Sequence, residues 1–445
     1  MATQNQTKKS FEIAVIGGGI AGATLAVALI KHGIPCQIYE QGHGFSEIGA
    51  GVAFSPNALR AMDICDASLR AAFDKVGTHN QWPQKHDVYF DVLDGMAAGH
   101  GDENDKGTPL FTLTNDQGMD AVHRAHFMDE VSQVIPKDRC HFRKHLDRIE
   151  ETGGQNGRVK MFFHDGSTAE ADAVVGCDGI KSRTRQIVLG DDHHPSAPPS
   201  YTHVYGYRGV IPMEQAVAAL GEERAQNSCL WLGKGAHILS YPVDGGKTFN
   251  MFGAVVDKGD WPSQTELTLP TTREEALRDY ADFGPMVKKQ FELVGENIDK
   301  WALFDTGDHP VPQFNKGRIV LCGDAAHATT PHHGAGAGFC VEDSAVLSEM
   351  LADERVRSPE DLAACFAAFD AVRRPRGHWL VQSSRRMCEL YQDRAEGVDQ
   401  KKDVEKIRKE MEERFQKVWS YDLNAAIQEG KEDMHKRLQS GASSS

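Results

Sequence analysis

The sequence predicts an α/β chain: a parallel-sheet unit at the N-terminus, an inserted antiparallel sheet, and a C-terminal helical region. Three observations lead there. Residues 11–40 switch from strand period to helix period and back. Two further short apolar strands, at 171–179 and 317–325, end in Gly or Asp. Between these two strands, aromatic and polar residues alternate and tight turns recur.

FEIAVI reads as a buried strand, Ile20 to His32 as an Ala- and Leu-rich helix, and CQIYE as a second strand. Gly33 ends the helix and Pro35 follows it, which completes a βαβ unit. YTHVYGYRGV (201–210), CLWLGKGAHILSYPV (229–243) and KTFNMFGAVV (247–256), with the turn DGG (244–246), read as antiparallel strands. From about 340 onward the pattern is helical. In 401–418, Val404, Ile407, Met411, Phe415 and Val418 form one apolar stripe on a charged helix. Docking on the chain's own body is the expected use of that stripe, and a homodimer contact is the alternative.

A length of 445 residues calls for two or three domains. The net charge of -15, from 49 basic and 64 acidic residues, argues against nucleic acid or an anionic membrane as partner. No apolar run reaches the roughly 18 residues of a membrane span. MATQNQTKKS does not read as a leader, and SGASSS reads as disordered, without a retention or lipidation signal. Nine cysteines run from Cys36 to Cys388 without a CxxC pair, as expected of reduced core thiols in a cytoplasmic protein.

Gly17, Gly19 and Gly22 form G-x-G-x-x-G between strand and helix. The first permits a tight turn, the second lets a pyrophosphate reach the backbone, and the third lets helix and strand pack closely. The helix N-terminus adds free N–H groups and positive partial charge. Glu40 ends the next strand, where a carboxylate can accept from ribose hydroxyls and would repel a 2′-phosphate. FAD or NAD therefore fits as the resident dinucleotide in a Rossmann-like unit. No second complete fingerprint follows, and GGQNG (153–157) reads as a hairpin turn, so a separate reductant would bind only transiently.

Ligands of open α/β sheets sit beyond the carboxyl ends of the strands. Asp324 and Asp178 occupy such ends and could accept from a ribityl chain. Arg124 opens a predicted helix and could reach the cofactor, with a plain surface charge as the alternative. HATTPHHGAG (327–336) holds three histidines, yet their spacing is not that of a metal site. After Pro331, the residues Gly334, Ala335, Gly336, Ala337 and Gly338 instead offer nearly bare backbone to a flat ring. A helix that Glu342 and Asp343 begin would aim its N-terminus at that ring.

GGGIAG (17–22), CDGIKSRTR (177–185) and LCGDAAH (321–327), in this order, resemble the group A flavoprotein aromatic monooxygenases over residues 11 to 380. PHHGAGA, YGYRG (205–209), AHILSYPV (236–243) and AVRRPRGHW (371–379) are similar to a fungal branch that oxidatively dearomatises phenolic polyketides in tropolone, azaphilone and sorbicillinoid pathways. PHHGAGAG departs from the P-x-x-G-Q-G of many members. The resemblance implies non-covalent FAD, NADPH or NADH as external reductant, and O2 as co-substrate. It maps Gly17, Gly19, Gly22, Glu40, Arg124 and Asp324 to FAD, gives Asp178 a place in a motif tied to FAD and nicotinamide, and sets GAGVAFSPNA (49–58), with Gly51, beside the flavin. The implied layout has three FAD-binding parts at 1–80, 109–195 and 301–370, substrate-domain parts at 81–108 and 196–300, and a helical region at 371–445.

In the strand 201–210, Arg208 shares a face with Val204, Gly206 and Val210, and needs a partner. A structural acid and a phenolate substrate are the two readings. His237, Leu239 and Tyr241 share another strand face, and the branch places substrate-positioning residues at Arg208 and Tyr241, with His237 nearby. The implied chemistry is ring hydroxylation through a C4a-hydroperoxyflavin. The product is a quinol dienone if the attacked carbon carries methyl, and a catechol, as in salicylate-type or simple phenol hydroxylases, if it carries hydrogen. A peroxide-releasing oxidase and a non-catalytic dinucleotide-binding regulator are the remaining alternatives.

Overall fold

The structure is a computed structural model that describes residues 9–45, 51–96, 107–151, 157–190, 192–263 and 265–442. Its first layer is a six-stranded sheet. In order, the strands are Asn315–Lys316, Ile319–Leu321, Ala173–Gly176, Ile13–Ile16, Cys36–Glu40 and Cys140–Phe142. Every pair is parallel except the edge pair of Asn315–Lys316 with Ile319–Leu321. All four residues of Ile13–Ile16 are buried, as befits a central parallel strand covered on both faces. The helix Ile20–Lys31 packs under the sheet, and Gly33 turns the chain at φ +65°.

The second layer is an eight-stranded sheet. Its strands, in order, are Thr268–Thr272, Asn297–Asp305, Ser200–Pro212, Thr248–Val256, Ala236–Val243, Cys229–Leu232, Val88–Asp94 and Thr108–Thr114. It is antiparallel apart from one parallel pair, Cys229–Leu232 with Val88–Asp94. One face buries Tyr207, Ile238, Phe249 and Met251 with helix residues such as Ala216, Ala276 and Phe291. The other face looks toward the first layer.

The expected segment boundaries meet continuous elements at three points. Residue 108 opens the strand Thr108–Thr114, so 109–114 belong to the eight-stranded sheet. The cut at 300/301 falls inside Asn297–Asp305, and the cut at 370/371 inside the 30-residue helix Leu362–Tyr391. Pro375 sits within that helix without ending it.

In the helix Val404–Trp419, Ile407, Met411, Phe415 and Val418 are buried, joining a core with Tyr89 and Phe90. The stripe thus docks on its own chain, and the dimer alternative for it falls. The last helix runs Leu423–Ala442, through the first three residues of the SGASSS tail read as disordered. Ser443 to Ser445, the N-terminal eight residues, Gly49 and Ala50, and all of GGQNG but its last residue lie outside the described residues. The strands flanking GGQNG, Leu146–Glu151 and Val159–Phe163, pair antiparallel. All nine cysteines are free thiols, eight of them buried and Cys140 half-buried. Among the described residues no helix is long and apolar enough to cross a membrane.

Candidate active site

One cavity of about 790 Å³ lies between the two large sheets. Gly17, Gly19, Glu40, Asp178 and Asp324 line its first-sheet side. Gly51, Arg124, Pro331, Gly334, Ala335, Gly336 and Ala337 line its middle. Arg208, His237, Leu239, Tyr241, Asn250 and Phe252 line its second-sheet side. The sequence-predicted residues therefore converge on one space, with Gly22 as the exception on the lining. A Cβ on Gly22 would fall 1.9 Å from the Gly17 carbonyl oxygen, so this glycine serves the packing of helix on turn. Gly17 itself holds φ +101°, with the Cys177 carbonyl where a side chain would go.

The cradle suits a dinucleotide on its own chemistry. The helix Ile20–Lys31 starts at Gly19 with no side chain capping its first turn, which leaves N–H groups for phosphate oxygens. Glu40 accepts the backbone N–H of Gly18 through Oε2 and of Gly42 through Oε1, both at 2.6 Å. Each oxygen keeps a lone pair for a hydroxyl. Asp178 braces its own turn while lining the cavity: it accepts from Ser182 Oγ at 2.5 Å, Thr184 N at 2.9 Å and Thr184 Oγ1 at 3.0 Å, which leaves acceptor capacity on the carboxylate. The buried Arg185 of the same motif donates to the carbonyls of Ala197 and Ala325, both at 3.0 Å, and so fixes the turn carrying Asp324.

The loop after Pro331 is held from several sides. Tyr391 Oη donates to the His332 carbonyl at 2.9 Å and Tyr89 Oη to the His333 carbonyl at 3.3 Å. His332 Nδ1 meets Thr330 Oγ1 at 2.9 Å, His333 Nε2 meets Ser383 Oγ at 2.9 Å, and His327 Nε2 meets Asp343 Oδ2 at 2.7 Å. The three imidazoles thus serve three different neighbours. Burial pushes the His333 pKa down to about 3, with Arg414 adding to the effect, and pushes that of His332 well below the usual histidine range. Gly334 takes φ +59° and ends this turn.

The following helix begins at Gly336, six residues ahead of the start at Glu342 and Asp343 that the sequence predicts. Its first residues, Gly336 and Ala337, are the cavity wall, and no side chain caps it. Glu342 and Asp343 lie farther along, fully buried, in an ion network that sequence reasoning missed. Arg373 donates to Asp343 at 2.6 Å and to Glu342 at 2.8 Å, Arg376 holds Glu342 through two bonds, and Asn57 Nδ2 donates to Glu342 at 2.7 Å. Burial works against both carboxylates, yet Arg376 and Arg373 hold Glu342 low, and His327 and Arg373 hold Asp343 low. The i, i+3 spacing of Arg373 and Arg376 on a helical pattern was the available signal.

Arg208 has no carboxylate partner among the described residues. Its guanidinium stacks 4.3 Å from the ring centre of Trp301 and 5.9 Å from that of Phe252. The structural-acid reading therefore fails. Protein packs around Arg208, yet its side chain keeps exposed surface and lines the cavity. Its face is less buried than the sequence predicts, since Val210 is 53 % exposed. Burial lowers the Arg208 pKa, Tyr241 offsets part of this, and Arg124 adds to it. Burial pushes the Tyr241 hydroxyl up to about 12, against the pull of Arg208, and pushes His237 down to about 3, with help from Arg394. At neutral pH the wall presents a cation, a phenol and a neutral imidazole.

Residues 139–384, more than half of the chain, match the model of the FAD binding domain family. The FAD-dependent monooxygenase pigN of Monascus ruber is 41 % identical over 436 residues, covering 96 % of this chain and 98 % of its own. The 6-methylsalicylate 1-monooxygenase atA of Aspergillus terreus is 38 % identical, covering 92 % and 89 %. A solved salicylate hydroxylase in complex with substrate superposes with a TM-score of 0.82 at 30 % identity, over 95 % of this chain and 98 % of that one. With its glycine-rich cradle and facing sheets, the chain belongs to the FAD-dependent monooxygenases, a family that includes aromatic hydroxylases.

Proposed function

We propose that this enzyme hydroxylates a phenolic, polyketide-type aromatic ring with FAD, NADPH and O2, with oxidative dearomatisation to a quinol dienone. The observation that carries the reading is Arg208, a cation on the cavity wall that rests on an indole and has no carboxylate partner among the described residues. Gly17, Gly19, Glu40, Arg124, Asp178 and Asp324 would hold FAD, with Gly51 and the Pro331–Ala337 backbone against its ring and Gly22 packing the helix beneath. Reduced FAD with O2 supplies an electrophilic oxygen atom there. NADPH would dock only transiently. The free thiols fit a reducing, cytoplasmic setting.

Arg208 would bind the phenol as its anion. A charge-assisted hydrogen bond of about 1.5–3 kcal/mol favours the phenolate and raises electron density on its ortho carbon. Tyr241 keeps its proton and donates to the same oxygen. His237, neutral and buried, orients the ring without competing for the charge. The ortho carbon takes the oxygen atom; a methyl group there blocks rearomatisation, and a hydrogen there is lost to give a catechol.

The catechol outcome is the second reading, favoured by the similarity to the salicylate and 6-methylsalicylate enzymes. The test supplies FAD-loaded protein with NADPH, O2, ring-methylated acyl resorcinols and salicylate, and reads product mass and circular dichroism. A chiral product one oxygen heavier is expected from the methylated substrates. A catechol from salicylate alone would favour the second reading, and NADPH consumption yielding only peroxide would overturn both.

A further inference from the structure

Asn250 sits on the strand Thr248–Val256, directly opposite Tyr241 on one neighbouring strand and Val210 on the other. Opposed residues share a face, and here that face lines the cavity. Only 6 % of Asn250 is exposed. Its Oδ1 accepts the backbone N–H of Gly51 at 3.4 Å. A backbone N–H can only donate, so the amide oxygen is committed to Gly51 and the NH2 group points elsewhere. Among the described residues no protein acceptor takes either of its hydrogens.

The polar groups on this wall are therefore mostly donors: the guanidinium of Arg208, the hydroxyl of Tyr241 and the amide of Asn250. A simple phenolate has one oxygen. Arg208 and Tyr241 suffice for it, and Asn250 would be left enclosed and unpaired, which disfavours such a ligand. A ring bearing a second acceptor oxygen leaves no donor idle.

We propose that Asn250 is a specificity-determining residue that donates to the carbonyl oxygen of an acyl group beside the phenolate. The proposal rests on the phenol reading above. Asn250 also touches Gly51 on the strand Gly51–Ala53, so a carbonyl bound here is held in register with the segment assigned to the flavin ring.

The test uses a matched pair, 2,4-dihydroxyacetophenone and 4-ethylresorcinol, which differ in the carbonyl oxygen. Binding to FAD-loaded wild type, N250L and N250D is read from the flavin absorbance. Asp at 250 keeps an acceptor for Gly51 but offers no donor. Wild type is expected to bind the ketone about tenfold more tightly than the alkyl compound. In both variants that preference collapses, mainly through weaker ketone binding. A preserved preference, or equal losses for both compounds, overturns the role of Asn250 while leaving the phenol reading intact. Binding of neither compound by yellow wild-type protein overturns the phenol reading, and the role of Asn250 with it.

Discussion

Arg376 grips Glu342 through two parallel hydrogen bonds, Nε to Oε2 at 2.8 Å and Nη2 to Oε1 at 2.7 Å, with both side chains buried. Glu342 sits on the helix whose first residues form the cavity wall, and Arg376 on the long helix Leu362–Tyr391. Removing Arg376 leaves the buried Glu342 carboxylate only Arg373, which it shares with Asp343, and Asn57. R376M should destabilise the protein by about 3–5 kcal/mol. Denaturant unfolding checks this, and FAD release should come at lower denaturant than in wild type. An unchanged midpoint would mean that Arg373 and Asn57 suffice for Glu342.

R208A should lower kcat/KM for a phenol about ten- to a hundredfold or more, with the flavin spectrum of the resting protein unchanged. R208K keeps the charge but loses the planar stack on Trp301, and should fall between the two. Steady-state turnover is the measurement, and wild-type rates in R208A would remove this residue from the chemistry.

A methyl group on Gly51 would stand 2.7 Å from Tyr241 Oη and 2.8 Å from its Cε2. G51A should therefore displace the buried Tyr241 ring and weaken phenol binding about tenfold. Once Tyr241 is cut to Ala, the added methyl meets no ring, so G51A should cost little in the Y241A background. A double-mutant cycle on substrate affinity should give a coupling of about 0.5–3 kcal/mol. Strict additivity would show that the two sites do not touch.

His237 and His333 each have a folded pKa of about 3, and His332 also lies well below the usual range, in each case mainly from burial. The unfolded chain takes up protons near pH 6.5 and the folded one does not. Stability should thus be full above about pH 6.5 and decline as pH falls toward 3, by about 1.4 kcal/mol per pH unit per histidine. Unfolding free energies from pH 7 to 5 read this slope, and H333Q should make it shallower by one histidine's share. Asp343, with its pKa lowered by His327 and Arg373, loses its contribution only in the lower window below about pH 4.

The parallel sheet was legible because its signals are local. Period switching marked Ile13–Ile16, Ile20–Lys31 and Cys36–Glu40, and the glycines named the turn between them. The antiparallel strands followed from alternation. Pairings distant in sequence were hidden. Nothing near Arg208 announces Trp301 on the strand Asn297–Asp305, and nothing near Glu342 announces Arg373. The helix start was misread because Gly336 to Gly338 has poor intrinsic propensity. Tertiary packing overrides it, including Ser344 Oγ against Thr24 Oγ1 at 2.9 Å. Asn250 could have been found by counting across the DGG turn, since the hairpin register sets it opposite Tyr241.

The helix Leu362–Tyr391 meets the charge network at Arg373 and Arg376, the histidine loop at Ser383, and the second sheet through Arg385 on Asp305. It ends with Tyr391 in the cavity wall. Hybrids made by splicing related enzymes should for that reason inherit the stretch from the loop at Pro331 to Tyr391 whole, so that the helix and the groups it grips come from one parent. A junction inside it would bring one parent's arginines to the other parent's acids and one parent's tyrosine to the other's loop. Shuffling for new substrate preference belongs on the strands that bear Arg208, Tyr241 and Asn250, with 331–391 passed on as a single block.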